Sequence, residues 1–350
     1  MGFNIYEFFD YLSSRNVEVR LDAGQPDLPV DDRIVSALID SLRRGETRYV
    51  SASGINELRE KLAEEHEVDP SEVIIAPGSK FLIASQVYFS RKVAIISPYW
   101  PAYVQMVENF GRECKIIKTS LEDNWMPNFD ELNGVDTIII NYPNNPTGVS
   151  LPKEKMDKLV EIAAQENIKI VSDEVYRDIV FNNKFKSILD YNYERKIFVH
   201  SFSKTFSMTG FRIGYAIADR EEIRRIRKIL EITATCVPKF VQMAAIKALE
   251  IKEEIVKKVR EFYRARLKLF MEKIDKDNFQ FVVPDGSFYV FVKMKKGYSG
   301  EKAAYKLAEE GVGVFPGEAF GGYNGFLRLS LTHPKLELGI EKINKLSDKL

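Results

Sequence analysis

The sequence predicts an α/β protein: a mostly parallel seven-stranded sheet flanked by helices, with a smaller α+β domain attached. Three observations predict it. From Val73 onward, short apolar runs alternate with helical stretches, the pattern of a parallel sheet covered on both faces. Runs such as Thr137–Ile140 and Lys169–Ser172 show no polar alternation, as strands buried on both faces should. After residue 220 the texture changes to long helices and then closely spaced strands.

The 350 residues suffice for a large domain and a lobe. We expect the large domain at 31–255 and the smaller one at 1–30 plus 256–350, closing over the active site. Lysine plus arginine and aspartate plus glutamate number 51 each, so the formal net charge is zero. That balance makes no electrostatic case for nucleic acid or a membrane surface. No stretch has the character of a signal peptide or the length of a membrane span, so the expected location is cytoplasmic. Cys114 and Cys236, far apart and among apolar neighbours, read as reduced, buried thiols. No His/Cys group has ligand spacing, so no metal is expected.

In order, residues 1–20 carry an amphipathic helical pattern ending in a short strand, Val17–Leu21. The next segment, with Gly24, Pro26 and Pro29, is irregular and crosses between parts of the molecule. Asp31 or Asp32 caps a helix through Arg44, with Ile34, Leu38 and Leu42 at helical spacing. Val73–Ala76 is the first buried strand, and Pro77-Gly78-Ser79 turns into a helix over Lys80–Phe89. Strands follow at Val93–Ile96, Cys114–Ile117 and Thr137–Ile140. A helix over Pro152–Asn167 then starts on a proline, where a missing N–H does no harm. Lys169–Ser172, Lys196–Val199 and Ile213–Ile217 complete seven strands. Long helices over 220–235 and 238–275 lead to two strand-like runs about a Pro-Asp-Gly turn in FQFVVPDGSFYVFVKM. A helix (Gly300–Glu310), strands Val312–Phe315 and Phe326–Leu331, and a terminal helix finish the smaller domain.

Ligands of open α/β sheets collect beyond the carboxyl ends of the strands, and there the loops are unusual. Lys204 sits in SFSKTFSMTG between two strands. It would be costly to bury unless paired or chemically altered, and a desolvated lysine is the side chain suited to forming a Schiff base. Gly78, Ser79 and Lys80 open a helix whose free N–H groups suit an anion, although many strand-to-helix turns look alike. Trp100, between prolines, offers either a stacking face or a packing surface. Asn145 lies in NYPNNPTG, too polar and proline-rich to be strand. Asp173 ends a buried strand, where a carboxylate wants a cation or else caps a helix; Tyr176 follows three residues on. With Ser201 and Arg212, these loops supply a lysine, an acid, a phenol, an amide, an aromatic plate and an anion cradle. The set matches a phosphorylated, aromatic, cationic heterocycle carrying an aldehyde.

These stretches, nearly end to end, resemble the fold-type-I pyridoxal-phosphate enzymes, and within them the class I/II aminotransferases related to aspartate aminotransferase. The motifs are LDAGQPD from Leu21, YVSASGINELRE from Tyr49, NNPTG, SDEVY, SFSKTFSMTGFRIGY, VPDGSFYVF from Val283, and RLS at Arg328. The resemblance implies the large-domain fold of those transferases and pyridoxal 5'-phosphate as cofactor. It also implies roles. Lys204 would hold the cofactor as a Schiff base and then shuttle the substrate proton. Asp173 would keep the pyridine nitrogen protonated, and Asn145 and Tyr176 would bond its phenolic oxygen. Trp100 would stack on the ring, while Gly78, Ser79, Lys80 (through its backbone), Ser201 and Arg212 would hold the phosphate. Arg328 would grip the substrate's α-carboxylate, with Gly24, Asn145 and Trp100 beside it; its plainer role is a structural ion pair. Tyr49 would reach the phosphate of a neighbouring subunit, making the active unit a homodimer.

The reaction implied is transfer of an amino group from an L-amino acid (aspartate, aromatic or similar) to a 2-oxo acid such as 2-oxoglutarate, ping-pong through pyridoxamine phosphate. A C–S β-lyase or a decarboxylase on the same scaffold is the alternative. In one branch of the family, aspartate-selective members take an arginine from the partner around the segment matching Ile232–Gln242. That segment holds no arginine here, and neither Lys239 nor Thr235 is an evident replacement.

Overall fold

The computed structural model describes residues 3–349 apart from 16, 183 and 296. The chain enters through α1 (Ile5–Ser14) and β1 (Val19–Arg20), then an irregular strap to α2 (Asp32–Arg43). Asp31 caps α2, its side chain accepting from the Arg33 N–H. Next come α3 (Asn56–His66), β2 (Val73–Ala76), α4 (Ser79–Phe89), β3 (Lys92–Ser97), α5 (Ala102–Asn109) and β4 (Glu113–Lys118). The run continues with β5 (Thr137–Asn141), α6 (Lys153–Glu166), β6 (Lys169–Asp173), β7 (Lys196–Ser201), α7 (Phe202–Thr205) and β8 (Gly214–Ile217).

Strands β2 to β8 form one sheet in the order β2-β8-β7-β6-β5-β3-β4. Only β8 runs antiparallel to its neighbours. Strands β2, β5 and β6 are buried along their whole length, which is why they lack alternation. The carboxyl ends of β2, β3, β5, β6 and β7 all open on one edge. Because β8 runs the other way, its start at Gly214 brings Arg212 to that same edge.

Then follow α8 (Arg220–Thr233), α9 (Lys239–Glu250), α10 (Lys252–Lys273), β9 (Phe279–Gln280), β10 (Tyr289–Met294), α11 (Gly300–Glu309), β11 (Val312–Gly313), β12 (Phe315–Pro316), β13 (Phe326–Ser330) and α12 (Leu336–Lys349). Strands β12-β13-β10-β9 make a small antiparallel sheet, and β1 pairs in parallel with β11.

Several expectations need correction. The 238–275 pattern is two helices, broken at Ile251 (φ −112°, ψ 15°) without a Pro or Gly to announce it. The run Val312–Phe315 is two short strands in different sheets, so the first anchors the N-terminal segment and the second joins β13. The Pro-Asp-Gly turn is not a tight hairpin; it reaches across to the loop after β5, where the N–H groups of Asp285 and Gly286 donate to the Gly148 carbonyl at 2.9 and 3.0 Å. Cys114 is exposed and Cys236 half-buried. Cys114 sits on β4, the edge strand, whose outer side faces solvent. Helices α3 and α5, which the sequence reading passes over, bury Leu58, Leu62, Tyr103 and Val107.

Gly148, at φ +73°, has no room for a side chain: a Cβ would stand 2.6 Å from Pro284 Cβ and 2.7 Å from the Tyr289 carbonyl. Gly148→Ala is therefore expected to lose at least about 2 kcal/mol through overpacking and an unfavourable φ. The urea midpoint of the cofactor-free protein measures it.

Candidate active site

A cavity of about 420 Å³ opens between the carboxyl edge of the large sheet and the small sheet. Among its lining residues are Lys80, Trp100, Asn145, Asp173, Lys204 and Arg328. Gly24, Ser79, Tyr176, Ser201 and Arg212 line it as well. Gly78 lies just behind Arg212, and Tyr49 is not part of it: 85% of its surface is exposed.

Lys204 lies on α7, a single helical turn where the sequence suggested a loop. Its Nζ donates to the Gly24 carbonyl and sits 5.8 Å from the ring centres of Tyr176 and Phe288. Burial, then the nearby Arg328, push the ammonium down to about 8, although Asp173 works against them.

Asp173 is buried at the last position of β6. Burial pushes its carboxyl up to about 6, against the bond it accepts from the Tyr103 hydroxyl at 2.6 Å. Its own carbonyl accepts from the Asn141 amide at 2.9 Å, locking two strand ends together. Asp173 makes no salt bridge within 4.0 Å among the described residues, and its charge is opposed by burial. The Tyr176 hydroxyl lies 3.3 Å from that of Tyr289; burial, then Tyr289, raise its pKa well above that of a free phenol.

The anion end is assembled from the start of α4, where Gly78 (φ +83°) gives no side-chain cap and the N–H groups remain open. A Cβ on Gly78 would meet the Arg212 guanidinium at 2.6 Å, so only glycine lets that arginine lie across the helix end. Ser201 caps α7, accepting from the Ser203 N–H at 3.1 Å.

Arg328 crosses the opposite end on β13. It is 4% exposed, lies 4.4 Å from the ring centre of Tyr289 and 4.9 Å from that of Phe320, and donates to Asn145 Oδ1 at 3.0 Å and to the Asp22 carbonyl. Its Nε is buried without a partner, and no carboxylate lies within 4.0 Å among the described residues. Among the described residues Arg328 therefore makes no structural ion pair. Asp22 is already bound to Arg20 at 2.7 Å. Tyr289 sets the approach from below, since a Cβ on Gly24 would meet its hydroxyl at 2.3 Å.

Sequence reasoning missed Tyr103, Asn141, Ser203 and Tyr289. Asn141 and Tyr289 lay inside stretches already singled out, while Tyr103 sits on the overlooked α5. The residues present fit pyridoxal phosphate. A buried acid without a cation, an amine of lowered pKa and a glycine-lined anion cradle match its ring nitrogen, aldehyde and phosphate.

A sheet edge and a site of this kind define a pyridoxal-phosphate transferase. The sequence pattern of the class I and II aminotransferases matches residues 17–343. An aspartate aminotransferase of Thermococcus kodakarensis is 46% identical over 343 residues, 98% of this chain and 92% of that protein. Among solved structures, an aspartate aminotransferase from Thermotoga maritima superposes with a TM-score of 0.91 at 30% identity, covering 98% of this chain and 96% of that one. An aromatic aminotransferase from Pyrococcus horikoshii gives 0.90 at 30% identity, covering 99% of both. The chain belongs to the class I and II aminotransferases. It is a pyridoxal-phosphate-dependent enzyme that moves an amino group from an L-amino acid to a 2-oxo acid, and the β-lyase or decarboxylase alternative gains no support from these relatives.

Between pH 4 and 6 the folded, cofactor-free protein retains a proton on Asp173 that the unfolded chain releases. Its stability therefore falls as pH rises through that window, by on the order of 3 kcal/mol at neutral pH from this one group. Asp173→Asn is expected to flatten this slope and raise the urea midpoint at pH 7, while lowering transamination at least about 100-fold. Unfolding curves at pH 5, 6 and 7 check the first part.

Proposed function

We propose that Arg328 binds the α-carboxylate common to the amino donor and the oxo-acid acceptor. The observation that carries this is a buried guanidinium with an unbonded Nε, walled by aromatic rings and lacking any carboxylate of its own among the described residues. Leaving such a donor unsatisfied costs about 1–3 kcal/mol, which an incoming carboxylate relieves. Gly24 and Asn145 border the same place.

When bound, pyridoxal phosphate supplies an electron sink for charge developing at the substrate's α-carbon. Asp173 holds a proton on its ring nitrogen, and Asn145 and Tyr176 donate to its phenolic oxygen. Trp100 covers one ring face. Gly78, Ser79, the Lys80 backbone, Ser201 and Arg212 take the phosphate. Lys204 would hold the cofactor's aldehyde carbon through Nζ and would move the proton at the substrate's α-carbon.

The remaining cation is the Lys80 ammonium, 5.0 Å from the Trp100 ring centre and without a carboxylate partner among the described residues. With Arg212, Lys204 and Arg328 otherwise engaged, it supports a donor with a second carboxylate, aspartate, paired with 2-oxoglutarate. Lys80 would then serve as the receptor that Ile232–Gln242, without an arginine, does not offer. Ile5 and Phe9 of α1 also line the cavity, which favours aromatic donors as a second class.

The exposed Tyr49, with Ile39 and Leu42 near it in sequence, supports a homodimer in which Tyr49 serves the neighbouring site. Residues 31–255 would be its body, and 1–30 with 256–350 the part that closes over substrate. Among the described residues no helix is long and apolar enough to cross a membrane, in keeping with a cytoplasmic enzyme.

Steady-state kinetics with aspartate and 2-oxoglutarate should give parallel double-reciprocal lines; converging lines would overturn the reading. Lys80→Met should lower kcat/KM for aspartate about 10–100-fold and leave that for phenylalanine within about threefold. Arg328→Lys should raise KM for both substrates about 10–100-fold without altering the bound cofactor's visible band. Covalent addition of pyridoxal phosphate to the cofactor-free protein needs the neutral amine, so its rate should climb with pH up to about 8 and then level off. Stopped-flow absorbance measures it, and Lys204→Ala should show no covalent band.

A further inference from the structure

We propose that Asp178 is the positioning residue of the cofactor lysine: it clamps the single turn that carries Lys204 from both sides and ties that turn to α10. The inference rests on the role given above to Lys204. Helix α7 has only four residues, and one turn of helix does not hold itself. Its start is held by the Ser201 cap. Its end is held by Thr205, next to the lysine, whose hydroxyl donates to Asp178 Oδ2 at 3.0 Å.

The same oxygen lies 3.3 Å from His200 Nε2, on the residue preceding the cap. The other ring nitrogen of His200 is 2.9 Å from the Glu174 carbonyl. One carboxylate oxygen thus spans residues 200 and 205. Asp178 Oδ1 faces Lys252 Nζ at 3.7 Å, and the Asp178 carbonyl accepts from Arg260 Nε at 2.7 Å; both partners belong to α10. Further along α10, Arg266 reaches Asp27 at 3.2 Å, on the strap that also carries Gly24.

Asp178 does not line the cofactor cavity, yet it is buried. Burial opposes its charge, and His200, Lys252 and Arg177 outweigh that, holding the carboxyl well below its ordinary range. A buried charge of this kind adds little stability that apolar packing could not supply. What it adds here is fixed geometry. The Lys204 amine stands wherever its turn stands, and a displacement of about 1 Å at a reacting group can cost on the order of 100-fold in rate.

The test compares Thr205→Val, Thr205→Ser and Asp178→Asn in the cofactor-loaded enzyme, with Lys204→Ala alongside. Thr205→Val and Asp178→Asn are expected to lower kcat at least about tenfold, with KM within about twofold. They should also change the induced circular dichroism of the bound cofactor, which follows its orientation. Thr205→Ser keeps the hydroxyl and should retain both properties. Wild-type kcat and dichroism in Thr205→Val overturn the proposal, and so does an equal loss in Thr205→Ser. If Asp178→Asn does not fold, the threonine pair decides alone. A covalent band persisting in Lys204→Ala would instead overturn the role of the lysine itself.

Discussion

Four cationic side chains, Lys80, Lys204, Arg212 and Arg328, face one cavity whose carboxylates are Asp22 and Asp173, and Asp22 is already paired with Arg20. This local excess of positive charge is the constraint on which the site depends. Like charges at close quarters disfavour one another: burial, then Arg328, push the Lys204 ammonium down to about 8, and burial, then Arg212, lower that of Lys80 as well. A phosphate at one end and carboxylates at the other would complement these cations, in line with the roles proposed above.

The fold delivers these groups by a simple rule of direction. Strands β2, β3, β5, β6 and β7 end on the same edge, and each releases a loop there. β8 returns the chain so that Arg212 arrives beside Gly78. The second half of the site comes from the small sheet, where Arg328 and Tyr289 occupy neighbouring antiparallel strands. Arg328 is held to the strap through Asp22, and the strap in turn hydrogen-bonds to β13, the Ser330 N–H donating to the Leu21 carbonyl at 2.7 Å.

Much of this was legible in the sequence because parallel strands are unbroken apolar runs and their loops are rich in Pro, Asn, Ser and Gly. Lys204, Asp173 and Asn145 stood out as polar residues at or just beyond the ends of such runs, and Arg328 as a charge inside the apolar run Phe326–Leu331. What escaped notice lacked a local signature. Tyr103 lies on an eight-residue helix, too short for a clear period, and its bond to Asp173 crosses 70 positions of sequence. The break at Ile251 has no turn residue, so one period appeared to run through two helices. The run Cys114–Ile117 reads as a core strand, which would bury Cys114, but its exposure follows from that strand being at the sheet edge, a property of pairing order. Lys80 was read through its backbone alone, because only the folded chain brings its ammonium over Trp100.

The contact between Arg328 and Asn145 also settles which way round that amide is turned. With Oδ1 accepting from the guanidinium, Nδ2 is left as a donor, and a flipped amide would set two N–H groups against each other. Under the roles proposed above, that planar amide would border both the α-carboxylate held by Arg328 and the cofactor ring. Arg328 and Asn145, 183 positions apart in sequence, are thereby fixed in one mutual orientation at the floor of the cleft.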